Sequence, residues 1–230
     1  MTTWGSTEAG DPVFDDSWTR KLQDVNVIIT KALTDDLMEK LLQHQKCCIL
    51  HLTVTGLGGS FQEPCVPRAD WNAAQLSRLL NRGFPVSQAV LRIDPMLSVS
   101  IGQAVLDEFA ETGVQRVRFS FLNLTNYTEN KADEDMLKSE AIKLTDYAKE
   151  KYPFYAFESC AGAFLKDVNN IKLCGCMSRE EAAALVGDVE FDFTKKRNRH
   201  ACFAPGNRVE LLEGKKCEHN CKYCFWSAKK

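Results

Sequence analysis

The sequence lacks the features that would place the protein in a membrane or send it out of the cell. None of its 230 residues belongs to an apolar run long enough to span a bilayer. Residues 1–16 carry acidic and small polar side chains, whereas a signal peptide begins with a basic segment and continues with an apolar one. We therefore expect a soluble protein of the cytoplasm or another intracellular compartment, with no membrane partner.

An excess of one charge sign is also missing. The chain has 29 Lys and Arg against 31 Asp and Glu, which gives a formal net charge of -2. No overall basic field is present that would by itself hold a nucleic acid backbone, although a local patch could exist. Nucleic acid is therefore neither indicated nor excluded as a partner.

Cysteine, in contrast, is abundant. The ten cysteines come without a secretion signal, and the densest group has the spacing of metal ligands. A chain of this length and composition can bury a core without disulfides. Metal or redox chemistry is the better interpretation of these residues.

Strand and helix patterns alternate from Val25 onward. Residues 1–20 have no clear periodicity, and we expect an irregular N-terminal arm there. Beyond the arm, apolar runs predict strands at 25–29, 48–55, 88–93, 115–122 and 154–158, separated by amphipathic helices at about 34–45, 70–81, 99–112 and 133–149. Strict alternation favours α/β architecture with parallel strands, in a barrel-like or doubly wound sheet, with function at the strands' carboxyl ends.

The pattern changes near residue 160. Beyond that point cysteines and glycines become frequent, and only residues 178–186 are typical of a helix, with Ser178 and Glu181 at capping-box spacing. We divide the chain into the arm at 1–20, an α/β unit at 21–160, and a cysteine-rich, loop-rich C-terminal segment at 161–230 that packs on the unit.

The C-terminal segment carries a C-x3-C-x2-C motif formed by Cys217, Cys221 and Cys224, with Tyr223 just before the third cysteine. Three thiolates from one loop can hold three irons of a [4Fe–4S] cluster and leave the fourth iron open for a chelating ligand. The neighbouring Lys215, Lys216 and Lys222 favour deprotonated thiolates. A zinc site completed by His219 or a distant cysteine is the alternative.

With its aromatic residue, this motif resembles that of the radical SAM superfamily, where it normally lies near the N-terminus. The whole chain is similar to an uncharacterised bacterial family that carries such a cluster motif at its C-terminal end. The matching stretches occur in the same order and at similar spacing, at 28–31, 51–56, 91–96, 117–121 and the terminal cysteine run.

This resemblance implies a partial TIM-like barrel of permuted order and an enzyme with two cofactors, a [4Fe–4S] cluster and S-adenosylmethionine. Reductive cleavage of S-adenosylmethionine would generate a deoxyadenosyl radical that acts on an unknown substrate, with an electron donor such as a flavodoxin or ferredoxin. The resemblance also implies a Ser/Arg-rich strand before Val25, for which residues 1–20 carry no periodic pattern.

Polar residues at the predicted carboxyl ends of strands are the other site candidates. Arg92 and Asp94 are predicted as the catalytic pair, because opposite charges at the end of an apolar strand require mutual neutralisation or a ligand; a structural salt bridge is the equal alternative. The predicted cofactor-binding residues are Thr30, Lys31, Thr53, Thr55, Ser120, Asn123, Glu158 and Tyr223.

Four further cysteines raise the question of a second site. Cys160, Cys174, Cys176 and Cys202 could hold an auxiliary cluster or a zinc ion, or could be buried or free thiols. The contrasting hypothesis for the whole protein is a non-catalytic binding module, in which zinc or an Fe–S cluster staples the cysteine-rich segment and a partner binds the α/β unit.

Overall fold

Short apolar runs bounded by polar turns form the strands of one parallel sheet. The computed structural model describes residues 2–121, 133–159, 163–175, 177–187, 208–214 and 216–224. In these ranges the sheet has eight strands. They are β1 Trp4–Ser6, β2 Val25–Thr30, β3 Cys48–Thr53, β4 Ala89–Met96, β5 Arg116–Phe121, β6 Ala156–Ser159, β7 Ile171–Leu173 and β8 Val209–Glu210. The five strands predicted from the alternation correspond to β2 to β6.

The helices begin and end where the sequence supplies capping residues. They are α1 Asp35–Gln43, α2 Ala69–Asn81, α3 Val99–Phe109, α4 Glu134–Lys151 and α5 Arg179–Val186. Thr34 caps α1 by accepting a hydrogen bond from the Leu37 amide, as predicted. Ser178 and Glu181 form the predicted capping box at the start of α5.

The strand order runs β7-β6-β5-β4-β3-β2-β1-β8, and every pairing is parallel. Residues 1–20, expected to be an irregular arm, therefore contribute a strand that pairs with β2 on one side and β8 on the other. Three residues are too few to show a period of two, and neighbours on both sides hold this short segment extended. At Gly5 an added Cβ would lie 2.6 Å from a Leu211 methyl group, so glycine lets the chain after β8 approach β1.

Both faces of the sheet are covered, as buried parallel strands require. Helices α1 to α4 follow the strands along the chain, and the larger core lies between them and one face of the sheet. The opposite face carries Val25, Val27, Ile49 and Val90, which pack against Met177 and Ala182 of the α5 region. We call this side the α5 face. No helix in the described ranges combines the length and hydropathy of a membrane span.

A buried network of charged residues attaches α5 to its face of the sheet. Glu181 of α5 accepts hydrogen bonds from Arg118 at 2.7 Å and pairs with His51 Nε2 at 2.9 Å. Glu158 of β6 accepts from Arg116 at 2.6 Å and from Arg118 Nε at 3.1 Å. Because breaking one partner of such a network leaves a buried charge unpaired, the network fixes where α5 lies.

Burial determines how these groups titrate. The fully buried ring of His51 has a pKa lowered to about 4, because the surroundings disfavour its charged form. Burial would raise the pKa of Glu181, but Arg118, His51 and Arg116 hold it well below its ordinary value. The neutral His51 therefore donates from Nε2 to the Glu181 carboxylate.

We predict that His51 makes stability pH-dependent in a defined window. Its pKa is about 4 in the folded protein and about 6.5 when unfolded, so its stabilising contribution is complete above about pH 6.5 and is lost as the pH falls towards 4. The urea concentration at the midpoint of wild-type unfolding should be lower at pH 5 than at pH 7. In His51→Gln, whose amide can still donate to Glu181, that fall should be smaller. Equal falls in the two proteins would contradict the assignment.

Candidate functional site

The cysteine motif lies at the carboxyl-terminal edge of the sheet. It follows β8, which pairs with β1. Because all the strands are parallel, the chain leaves β1, β2, β3 and β8 at the same edge. The loops after these four strands therefore meet, and we call residues 216–224 the cysteine loop.

The loop after β1 holds the first half of the cysteine loop through Asp11. His219, which lies between Cys217 and Cys221, approaches Asp11 Oδ2 to 2.9 Å with Nε2 and the Cys65 carbonyl oxygen to 3.1 Å with Nδ1. The same carboxylate accepts from the Thr30 hydroxyl at 2.8 Å and from the Lys31 amide at 2.8 Å. Asp11 thus joins β1, β2 and the cysteine loop.

The loop after β3 holds the second half through Glu63. This carboxylate is almost completely buried, with a side-chain exposure of 1%. It accepts from Lys31 Nζ at 2.5 Å, from the Thr55 hydroxyl at 2.6 Å and from the Tyr223 hydroxyl. Burial alone would raise its pKa, but Lys31 and the hydrogen bonds from Thr55 and Tyr223 hold that pKa below its ordinary value. Glu63 is therefore an ionised group inside the site.

The three cysteines of the motif lie close enough to interact electrostatically. Cys221 is buried, and Cys217 and Cys224 are half-buried. Burial raises the pKa of Cys221 to about 12; Lys31 acts against this rise, whereas Glu63 and the other two cysteines add to it. Burial likewise raises the pKa of Cys217. Lys31, which directly follows β2, is thus a cation that favours thiolate at Cys221; of the three lysines beside the motif, Lys215 lies outside the described residues.

Three cysteines from one loop are the donors that an iron–sulfur cluster with three protein ligands would use. Bound iron would convert the thiols to thiolates, since metal ligands are deprotonated. A cubane also spreads its ligands over separate irons, so they stand farther apart than the ligands of one ion. In the described ranges, no three His, Cys, Asp or Glu side chains are grouped so as to hold a single metal ion. In the zinc alternative the fourth ligand was His219 or a distant cysteine; both ring nitrogens of His219 lie in contacts to Asp11 and Cys65.

A second polar group lies on the α5 face, one strand further along the edge. Arg92 pairs with Asp94, which also accepts from the Ser120 hydroxyl. Burial would raise the pKa of Asp94, but Arg92, Ser120 and Lys31 hold it below its ordinary value. Lys31, which binds Glu63, is thus close enough to Asp94 to affect its pKa, and we call this group and the Glu63 cluster together the polar surface.

Thr53 lies between these groups. In the β3–β4 register it is the neighbour of Arg92, and its side chain has the same facing. Thr53 is 5% exposed, and its buried hydroxyl has no hydrogen-bond partner among the residues that the structure describes. A buried hydroxyl without a partner costs free energy, which a ligand that bonds to it would recover.

The structure brings most of the predicted site residues together. Thr30, Lys31 and Thr55 lie around the cysteine loop, which itself contains Tyr223. Thr53, Arg92, Asp94 and Ser120 complete the polar surface. Glu158, predicted to bind a cofactor, is instead engaged by Arg116 and Arg118 in the network that holds α5. Cys174 is buried near Arg118. Asn123, Cys160, Cys176 and Cys202 lie outside the described residues.

Sequence reasoning missed Asp11 and Glu63. Asp11 belongs to a segment whose strand was not recognised, so its position after a strand carried no weight. Glu63 lies ten residues beyond the end of β3, in a loop whose path the sequence does not reveal. The signal that could have found both carboxylates is their position in loops that follow parallel strands, since such loops lie at the carboxyl edge of the sheet.

Comparison of the chain with family models, curated proteins and solved structures finds no match.

We predict that alkylation will separate the cysteines by burial. In metal-free protein at pH 8, iodoacetamide should label the exposed Cys65 at least about tenfold faster than Cys221, whose thiolate is scarce and shielded. Peptide mass spectrometry of quenched samples measures both rates. Concentrated urea provides the control, because unfolding removes the burial and the rates should converge. Equal rates in the folded protein would refute the buried position of Cys221.

Proposed function

We propose that the protein is a radical SAM-type enzyme with a [4Fe–4S] cluster bound by Cys217, Cys221 and Cys224. The chemistry that such a cluster supplies when bound is one-electron reduction of S-adenosylmethionine to methionine and a deoxyadenosyl radical. The observation that carries the proposal is the meeting of three thiols from one loop with a buried, ionised polar cluster at the carboxyl edge of a parallel sheet.

The strand order supports a partial TIM-like barrel as the frame. Strands β1 to β7 lie in chain order, and β8 returns to the free side of β1. This is the order of an eight-stranded barrel opened between β7 and β8. In the proposed barrel, α5 fills the α5 face towards the amino ends of the strands, so ligands would enter from the edge that carries the cysteine loop.

The polar surface supplies groups of both signs for binding. Lys31 and Arg92 are cations, and Asp94 is held ionised by its neighbours. A carboxylate on a ligand would be placed by the cations, whereas an ammonium or hydroxyl group would donate to Asp94. Thr53 offers a hydroxyl that has no partner in the described residues. We propose that these residues orient S-adenosylmethionine and the substrate and exclude water around them.

The decisive experiment is anaerobic reconstitution with iron and sulfide, followed by reduction in the presence of S-adenosylmethionine. We expect about four irons per chain, and deoxyadenosine and methionine as products. Cys221→Ala should abolish cleavage, because it removes one of the three ligands. The matched control is Cys47→Ala, which replaces a half-buried cysteine before β3, at the opposite edge of the sheet, and should retain cleavage.

Two outcomes would contradict the proposal. Retained cleavage in Cys221→Ala would show that the wrong ligands were chosen. A colourless wild-type protein with one zinc per chain and no product would favour the non-catalytic binding module.

We predict opposite effects of Thr53→Val on stability and on activity. Valine removes the unpartnered buried hydroxyl and keeps the side-chain shape, so the free energy of unfolding should rise by about 1 kcal/mol, measured in urea. Formation of deoxyadenosine should slow, because a ligand contact is lost. Thr145→Val is the control: its hydroxyl donates to the Ile142 carbonyl at 3.0 Å, so this change should lower stability and leave cleavage unchanged. Unchanged cleavage in Thr53→Val would remove Thr53 from the proposed site.

A further inference from the structure

We propose that Asp11 and Glu63 are positioning residues that hold the cysteine loop in its cluster-binding shape before any metal arrives. That the loop binds a cluster rests on the proposed function, whereas the contacts of the two carboxylates are features of the structure itself. Each carboxylate contacts a different segment of the motif. Asp11 contacts His219 between Cys217 and Cys221, and Glu63 accepts from Tyr223 between Cys221 and Cys224.

Contacts outside the cysteine loop hold the Asp11 carboxylate in place. It is 3% exposed and accepts from the Val13 amide at 3.0 Å, from the Thr30 hydroxyl and from the Lys31 amide. Its backbone amide donates to the Lys216 carbonyl at 2.9 Å, directly before Cys217. Because its other contacts come from β1's own loop and from β2, Asp11 presents a rigid acceptor to His219.

Glu63 is fixed in the same manner from the other side. Lys31 and Thr55 hold its two oxygens, and Tyr223 reaches it from the cysteine loop. Lys31 Nζ also lies 3.0 Å from the Tyr223 hydroxyl, so the Tyr223 side chain contacts both Glu63 and Lys31. In addition, the Lys222 amide donates to the Gln62 carbonyl at 2.9 Å. The second segment is therefore tied through both its backbone and its side chain.

Lys31 links the two carboxylates. Its backbone amide donates to Asp11, and its ammonium group donates to Glu63. The two carboxylates therefore share one residue at the end of β2, and the two segments are held in a fixed relation to each other.

These anchors use contacts to protein groups and need no metal. A loop that is ordered only by its metal loses conformational entropy at the moment of binding, which reduces the apparent affinity. Here folding of the sheet orders the loop in advance. The chain should therefore fold in metal-free form, with its three motif thiols already close together.

The test is limited trypsin digestion of the metal-free full chain, with the Lys222–Tyr223 bond followed by mass spectrometry. The Lys222 side chain is exposed to solvent, so protection of the bond that follows it must come from the shape of the loop. We expect slow cleavage in the wild type, and cleavage at least about fivefold faster in Asp11→Asn, Glu63→Gln and Tyr223→Phe, the factor that loss of one net hydrogen bond gives. Glu218→Gln, which changes an exposed carboxylate in the same loop, should match the wild type.

Tyr223→Phe keeps the test decisive if a carboxylate variant fails to fold. It removes only the hydroxyl and leaves the Lys31–Glu63 ion pair intact, so the sheet should form normally, as circular dichroism would report. Rapid cleavage in the wild type, or equal rates in the wild type and a folded Tyr223→Phe, would overturn the inference.

The result is separable from the proposed function. A protected loop in a protein that never cleaves S-adenosylmethionine would support the inference and reject the proposed function. An open loop in the metal-free form of a protein that does cleave it would reject the inference alone.

Discussion

The pairing of β8 with β1 is the constraint on which the site depends. It brings the last described strand beside the first, and Glu210 strengthens the join by accepting from the Glu8 and Ala9 amides at 3.0 and 2.9 Å. Without this pairing the cysteine loop would leave the sheet far from Asp11, Lys31 and Glu63. Because parallel strands send their loops to one edge, a single strand pairing gathers residues that lie more than two hundred positions apart in the chain.

Burial of charge organises two adjoining polar groups on the α5 face. In the first, His51, Arg118, Glu158 and Glu181 bind one another and attach α5 to the sheet. In the second, Arg92 pairs with Asp94, and the hydroxyl of the neighbouring Thr53 has no partner in the described part of the chain. The first group attaches a helix and so stabilises the fold. The second leaves the buried Thr53 hydroxyl without a partner, which costs free energy that a bound ligand would recover.

The elements that the sequence predicted well are those with long, regular patterns. The runs that became β2 to β6 and the caps at Thr34 and Ser178 are local signals, and the structure confirms them. Strand β1 was missed because three residues carry no detectable period, and its extended form depends on neighbours from both ends of the described chain. Glu158 was placed in the site because it ends a strand; in the folded protein two arginines on β5 engage it.

The sequence alone determined the α/β class, the parallel alternation and the C-x3-C-x2-C spacing, since each is written in short stretches of neighbouring residues. It also marked Lys31, Thr53, Arg92 and Asp94 as residues at the carboxyl ends of strands. Only the tertiary structure decided which side chains meet: that Asp11 reaches His219, that Glu63 joins Lys31 to Tyr223, and that burial raises the pKa of Cys221. The physical reason is that hydrogen bonds and desolvation depend on distance in space, and strand order sets those distances across long separations in the chain.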